Sequence, residues 1–173
     1  MVPIAIVVED GTNVAGANSY QDVAAVRLYA ENRGVVLPVS NDEVAAMLIK
    51  TIDYLEAQAC LYQGKMTYAD QSLQWPRTGV ILNCDEVPPN VIPKSLISAQ
   101  AQLLIAINAG FDLQPNFSYK DYVIKKKVGP IEKEFVDPTK VGISPTLGAA
   151  DALLAPLFGQ CASDKFSIRT VRV

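Results

Sequence analysis

Ser40-Asn41-Asp42-Glu43-Val44-Ala45-Ala46-Met47-Leu48-Ile49-Lys50-Thr51-Ile52-Asp53-Tyr54-Leu55 is the stretch whose reading decides the fold class. Ser40 and Glu43 stand in the relation of a capping box, the hydroxyl accepting from the amide three residues on. Val44, Met47, Leu48, Ile52, Leu55 and Ala59 then recur at helical spacing, which predicts an amphipathic helix to about Cys60. One apolar stripe on so long a helix must be covered by other elements.

Upstream, Asp22 is placed to cap a shorter helix over Val23 to Arg33, with Val23, Val26, Tyr29 and Ala30 on one face and Gly34 as its left-handed stop. Before it, the branched residues Ile4 to Val8 read as a short strand, broken by Asp10-Gly11-Thr12-Asn13. Downstream, Gly64 ends the long helix, and a polar segment without periodicity runs to Asn90, carrying Trp75, Pro76, Pro88 and Pro89. A run of that length in a compact domain needs an anchor, and Trp75 is the large aromatic at its middle. The expectation is a loop folded back and pinned by Trp75 and Pro76, with Arg77 pairing to an acidic group or to backbone carbonyls.

Pro93 opens a third helix to about Ala109, where Leu96, Ile97, Gln100, Leu103, Leu104 and Ile107 are apolar on most sides and Gly110 is the stop. Tyr122 to Lys127 and Ile131 to Phe135 alternate apolar and charged residues around Val128-Gly129-Pro130, the pattern of a hairpin with one wet face, approximately Lys125, Lys127, Glu132 and Glu134. A last helix from about Thr146 to Leu157, weakened by Gly148, leads to Gly159. The fold class is therefore α+β: about four helices bundled, a small antiparallel hairpin, and extended termini. Residues 1–159 form the helical domain with its hairpin near 122–135, and residues 160–173 an extended tail.

At 173 residues one domain buries roughly 70% of the surface that its unfolded chain exposes. A net charge of -3, from 15 basic and 18 acidic residues, supplies no overall positive field for a phosphate backbone. The opening apolar run lacks a basic leader and meets Glu9 and Asp10, so no signal peptide is expected. No apolar stretch approaches the ~18 residues of a membrane span. Cys60, Cys84 and Cys161 fit neither a disulfide framework nor a zinc site, and read as reduced.

With no histidine in the chain, Ser-His and Cys-His nucleophile pairs and the commonest general base are missing. Gly64-Lys65-Met66-Thr67 has the look of the end of a phosphate-binding loop, yet Ala59 stands where that motif needs glycine. The pairs Glu9-Asp10, Asp42-Glu43 and Asp85-Glu86 could hold a hard cation, but turns, caps and solvated faces explain them more simply. Lys125-Lys126-Lys127 on a strand points to alternating faces and makes no continuous stripe. No catalytic, cofactor-binding or metal-ligating residue is expected, and no enzymatic activity.

Two extended segments are candidate contacts. The hairpin leaves unpaired edges, and Ile4, Ile6 and Val8 are the natural strand to join Val128, Gly129 and Ile131 of a neighbouring copy, a clasp between subunits. In the tail, Phe166, Ile168, Thr170 and Arg172 alternate with Ser167, Arg169, Val171 and Val173, a strand that either finishes the chain's own sheet or docks on a partner.

Five pieces, in order, carry a resemblance. They are Val8-Glu9-Asp10-Gly11-Thr12 with Ala17-Asn18-Ser19-Tyr20; Thr51-Ile52-Asp53-Tyr54-Leu55; Leu73-Gln74-Trp75-Pro76-Arg77-Thr78-Gly79-Val80; Ile92-Pro93; and Lys127-Val128-Gly129-Pro130-Ile131-Glu132. Together they resemble the head-tail connector or adaptor proteins of tailed phages, some of which are labelled DnaT-like single-stranded-DNA-binding proteins. The resemblance implies a structural virion protein of the neck, assembled in the host cytoplasm as a homo-oligomeric ring of about twelve copies between the portal protein and a tail-completion or tail-terminator protein. DNA would be passing channel content, with no membrane and no cofactor involved. About twelve copies at -3 each sum to about -36 around the channel, a field that keeps DNA off the wall. The resemblance also assigns portal docking to the tail, through Phe166, Ile168, Arg169, Val171, Arg172 and Val173. The alternative is a single-stranded-DNA-binding module, which needs a basic groove with several stacking aromatics.

Overall fold

The computed structural model describes residues 3–115, 123–127, 132–135 and 147–159. Among them are four α-helices, α1 (Val23–Glu31), α2 (Asn41–Ala57), α3 (Lys94–Asn108) and α4 (Gly148–Leu154), the last tightening into a 3-10 turn over Ala155–Leu157. Three antiparallel two-stranded pairs accompany them: β1 (Lys65–Met66) with β2 (Arg77–Thr78), β3 (Ile81–Leu82) with β4 (Asp85–Glu86), and β5 (Val123–Lys127) with β6 (Glu132–Phe135). The architecture is α+β, as the periodicities predict.

Capping chemistry sets the first two helices. The Asp22 carboxylate accepts from the Ala25 amide at 2.6 Å, and the Ser40 hydroxyl accepts from the Glu43 amide at 3.4 Å, each satisfying a first-turn donor that has no partner inside the helix. α3 is central, packing against α1, α2 and α4. Its buried residues Leu96, Ala99, Gln100, Ala101, Leu103 and Leu104 cover most of its circumference. Leu96 and Leu103 join Leu55, Trp75, Leu154 and Leu157 in one core cluster, while Ala101 and Leu104 join Val26, Ala30, Val44 and Leu48 in a second.

Several boundaries depart from the sequence expectation. Ile4 to Val8 is no strand; its one bridge is the parallel contact of Val8 with Ser19. The Asn18 side chain takes the place of a ladder there, donating to the Ala5 carbonyl and accepting from the Val7 amide. α2 stops at Ala57 rather than at about Cys60, so Ala59 lies past the helix. Pro93 occupies the N-cap, with extended backbone, not the first turn. Gly148 begins α4 instead of interrupting it. The hairpin strands sit where alternation placed them, with Lys125 opposite Glu134 and Lys127 opposite Glu132. Its turn, with Val128, Gly129 and Ile131, lies outside the described residues, as do Tyr122 and the whole tail from 160 to 173.

Candidate interaction surfaces

The segment from Gly64 to Asn90 is built, not structureless. Trp75 is fully buried, joined to Pro76 by a cis peptide bond, and Tyr62 meets its ring edge-on with centroids 5.6 Å apart. Arg77 is almost as deep. Its Nε donates to the Gln63 carbonyl at 2.7 Å, one Nη to the Gly64 carbonyl at 2.9 Å, and the other to the Gln74 carbonyl and side-chain oxygen. Three backbone carbonyls and one side-chain amide oxygen, not a carboxylate, are thus its partners, and its rigid fork suits acceptors fixed on the two chain segments it joins. Gly64 has φ +63, and a Cβ there would lie 2.1 Å from the Thr78 carbonyl oxygen. Only glycine lets β1 approach β2 this closely.

A carboxylate fixes the other side of this loop. Glu56 of α2 accepts from the Gln74 amide at 3.0 and 3.1 Å through its two oxygens and from the Tyr20 hydroxyl at 3.1 Å. Tyr20 in turn accepts from the Trp75 amide at 3.2 Å. Burial raises the Glu56 pKa above the usual carboxylate value, opposed by those hydrogen bonds and by the Arg77 charge. Burial also raises the Tyr20 pKa well above the ordinary phenol value, with the Glu56 charge adding to it.

The segment leading into α1 is held by Glu9, which alternation and turn signals did not single out as a core residue. It is buried, and its two oxygens accept from the amides of Gly11, Asn13 and Val14 at 2.8, 3.1 and 2.9 Å. Gly11 has φ +103, and a Cβ there would stand 2.0 Å from the Asn90 carbonyl oxygen, so this turn is pressed onto the end of the Trp75 segment. The other acidic pairs are ordinary: Asp42 and Glu43 lie in the first turn of α2, and Asp85 and Glu86 form an exposed strand. Gly64-Lys65-Met66-Thr67 enters β1 rather than a helix, so its amides do not form a phosphate cradle. Among the described residues no group of three His, Cys, Asp or Glu is placed to hold a metal ion, and no helix is long and apolar enough to cross a membrane.

The chain before Glu9 presents a free strand edge. Successive residues of an extended chain point their amide and carbonyl to alternate sides. Ala5 and Val7 face Asn18, and Glu9 donates to the Ser19 carbonyl at 2.8 Å. Ile4, Ile6 and Val8 face the other way, and their backbone groups make no hydrogen bond among the described residues. Beside Ile4 and Ile6 lies an open depression of about 430 Å³, walled by Val23, Ala24 and Arg27 of α1. Arg27 also borders a second depression of about 280 Å³ with Val35, Val36 and Leu37. Its guanidinium ties the start of α2 to α1, bonding Asn41 Oδ1 and the Val39 and Ser40 carbonyls. Of the large apolar residues in and between α1 and α2, Leu28, Val36 and Val39 are 59%, 87% and 97% exposed.

Of the expected site residues, the structure gathers Trp75, Pro76 and Arg77 into one buried anchor and sets Ile4, Ile6 and Val8 on one free edge. It does not bring these two groups together. The remaining clasp residues, Val128, Gly129 and Ile131, and the portal-docking set Phe166, Ile168, Arg169, Val171, Arg172 and Val173 fall outside the described residues.

A family model described as "Putative DnaT-like ssDNA binding protein" matches residues 4–173. The chain belongs to this family. The match takes in the Glu9 turn, the Trp75 anchor, the hairpin and the tail alike. No curated protein and no solved structure matches the chain.

Proposed function

We propose that this DnaT-like family member is a non-enzymatic assembly subunit, a head-to-tail adaptor of a tailed-phage virion that forms a ring between portal and tail. The observation that carries this reading is a pair of incomplete strand edges. The β5–β6 hairpin pairs with no further strand among the described residues, and Ile4, Ile6 and Val8 leave a second edge open. An isolated two-stranded hairpin is marginal in water, and edges of this kind are completed by other chains. A contact between different patches of like subunits gives a ring where its rotation closes and a filament where it does not. In this reading the tail, Phe166 to Val173, reaches the portal protein, the ring's other face meets a tail-completion protein, and DNA passes through the channel.

A second reading, single-stranded-DNA binding, is the one that the family description favours. One sequence feature agrees with it: residues 116–146 and 160–173 hold nine of the 15 Lys and Arg but five of the 18 Asp and Glu. Against it, Trp75 is buried and offers no ring for base stacking. Residues 3–115 and 147–159 carry six basic against 13 acidic side chains, net -7, which repels a phosphate backbone.

Sedimentation velocity of the purified chain, alone and with portal rings, tests the adaptor reading, alongside binding to labelled single-stranded DNA over a salt series. Rings, and co-sedimentation lost on removing Ser163 to Val173, are expected. A monomer that binds single strands at micromolar affinity or tighter, with a steep salt dependence, would replace the adaptor reading with the second one.

A further inference from the structure

We infer that the open edge of Ile4, Ile6 and Val8, with the depression beside it, is the acceptor for the hairpin of a second copy, which adds its free edge there as a further strand. The inference deepens the ring reading and rests on it.

Three observations converge on this occupant. The acceptor's free groups come from alternate residues, which is the spacing that an incoming strand requires, and none is used among the described residues. The donor is an antiparallel pair whose outer edges meet no further strand among the described residues, so addition would turn two marginal elements into a three-stranded sheet. Charge favours the same pairing. Residues 116–146, which contain the hairpin, hold six basic and four acidic residues, net +2, whereas the described body is net -7. Asp22 and Glu31 border the two depressions, with Arg27 between them, so the acceptor face itself is close to balanced and the attraction comes from the opposite net charges of hairpin segment and body. Because donor and acceptor are different parts of the chain, each copy offers one of each, and the contact propagates from copy to copy until it closes.

The apolar face adds area without setting register. Leu28, Val36 and Val39 are exposed, Val36 in the wall of the second depression, and the body of the incoming copy would cover them. Backbone pairing at Ile4 to Val8 fixes alignment, because a one-residue slip would turn every donor away from its acceptor.

Ile6→Pro isolates this contact. Proline deletes one amide that bonds nothing among the described residues, leaves the Val7 and Asn18 bonds in place, and blocks strand addition. The expected result is a folded protein, its melting temperature lowered by the lost packing of Ile6 on the second core cluster, that sediments as monomer well below its transition where the wild type forms rings. As a second measurement independent of proline's effect on folding, a photo-crosslinking amino acid at Ile4 should link the wild-type assembly to peptides within residues 120–140 of another copy. Rings from Ile6→Pro, or crosslinks to residues 160–173 instead, would overturn the inference and leave the adaptor reading standing. A wild-type chain that stays monomeric at every concentration, with and without portal, would remove the adaptor reading itself and the inference with it.

Discussion

Replacing Trp75 with alanine separates an internal anchor from a partner-facing one. The side chain is fully buried, and a tryptophan removes ~150–250 Å² from water. At about 25 cal/mol per Å², that is ~4–6 kcal/mol as an upper bound, since the unfolded chain already hides part of the area. Large-to-small tryptophan changes in cores cost roughly 3–5 kcal/mol, and loss of the edge-on Tyr62 ring lies within that range. One feature works in the other direction. Trp75 Nε1 is buried without a hydrogen-bond partner, and such a donor lowers native stability by about 1–3 kcal/mol. Trp75→Phe keeps much of the ring and removes that donor, so it should cost much less than Trp75→Ala. For a chain of this size each kcal/mol moves the melting temperature by ~2–4 °C, so Trp75→Ala should lower it by roughly 6–20 °C. Thermal unfolding by far-ultraviolet circular dichroism, with sedimentation of the same samples below the transition, reads both quantities. An unchanged melting temperature together with lost rings would refute the buried-anchor reasoning and make Trp75 an interface residue.

Glu9→Ala leaves the Gly11, Asn13 and Val14 amides without their carboxylate and should cost at least ~3 kcal/mol in urea unfolding, as hydrogen bonds to charged groups contribute roughly 1.5–3 kcal/mol each; a loss below ~1 kcal/mol would mean that water replaces it freely. Deleting residues 1–12 removes Glu9 as well as the free edge, so the truncation is expected to destabilise the fold and is no clean test of the clasp. Gly64→Ala combines a left-handed backbone with a Cβ 2.1 Å from the Thr78 carbonyl oxygen; it should part β1 from β2 and lower stability by more than the ~1–2 kcal/mol of the backbone term alone, and a crystal structure of the variant with the strands still paired would contradict this. Glu56 gives a pH dependence: its carboxyl pKa is raised in the folded state, mainly by burial, so the folded protein binds this proton more tightly than the unfolded chain does. Its contribution is therefore greatest below the ordinary carboxylate value and is lost as pH rises through the folded value. Glu56→Gln should flatten that fall, and a stability profile with the wild-type slope between acid and neutral pH would assign the effect to other groups.

The four helices and the hairpin are legible before folding, because their signals are local. Caps at Asp22 and Ser40 and apolar residues at helical spacing act within a few positions of one another, and the alternation from Val123 to Phe135 does the same for two strands. The sequence also placed Trp75 at the centre of the long segment, since a lone large aromatic in a polar run has little else to do than be buried. What that segment and the N-terminal residues became depends on packing between distant parts of the chain. The two Glu56 oxygens reach Gln74 across 18 residues of sequence, and Gln100 on α3 accepts from the Tyr20 amide across 80, distances at which no periodicity carries information. Glu9 looked like one more turn carboxylate, because composition does not tell an exposed acid from one folded inside a ring of amides; Gly11 and Asn13, both with positive φ, were its only local trace. Ile4 to Val8 had the residues of a strand and became an edge with one side used and one side open. Strand pairing depends on which backbone is brought alongside, and packing, not propensity, settles that.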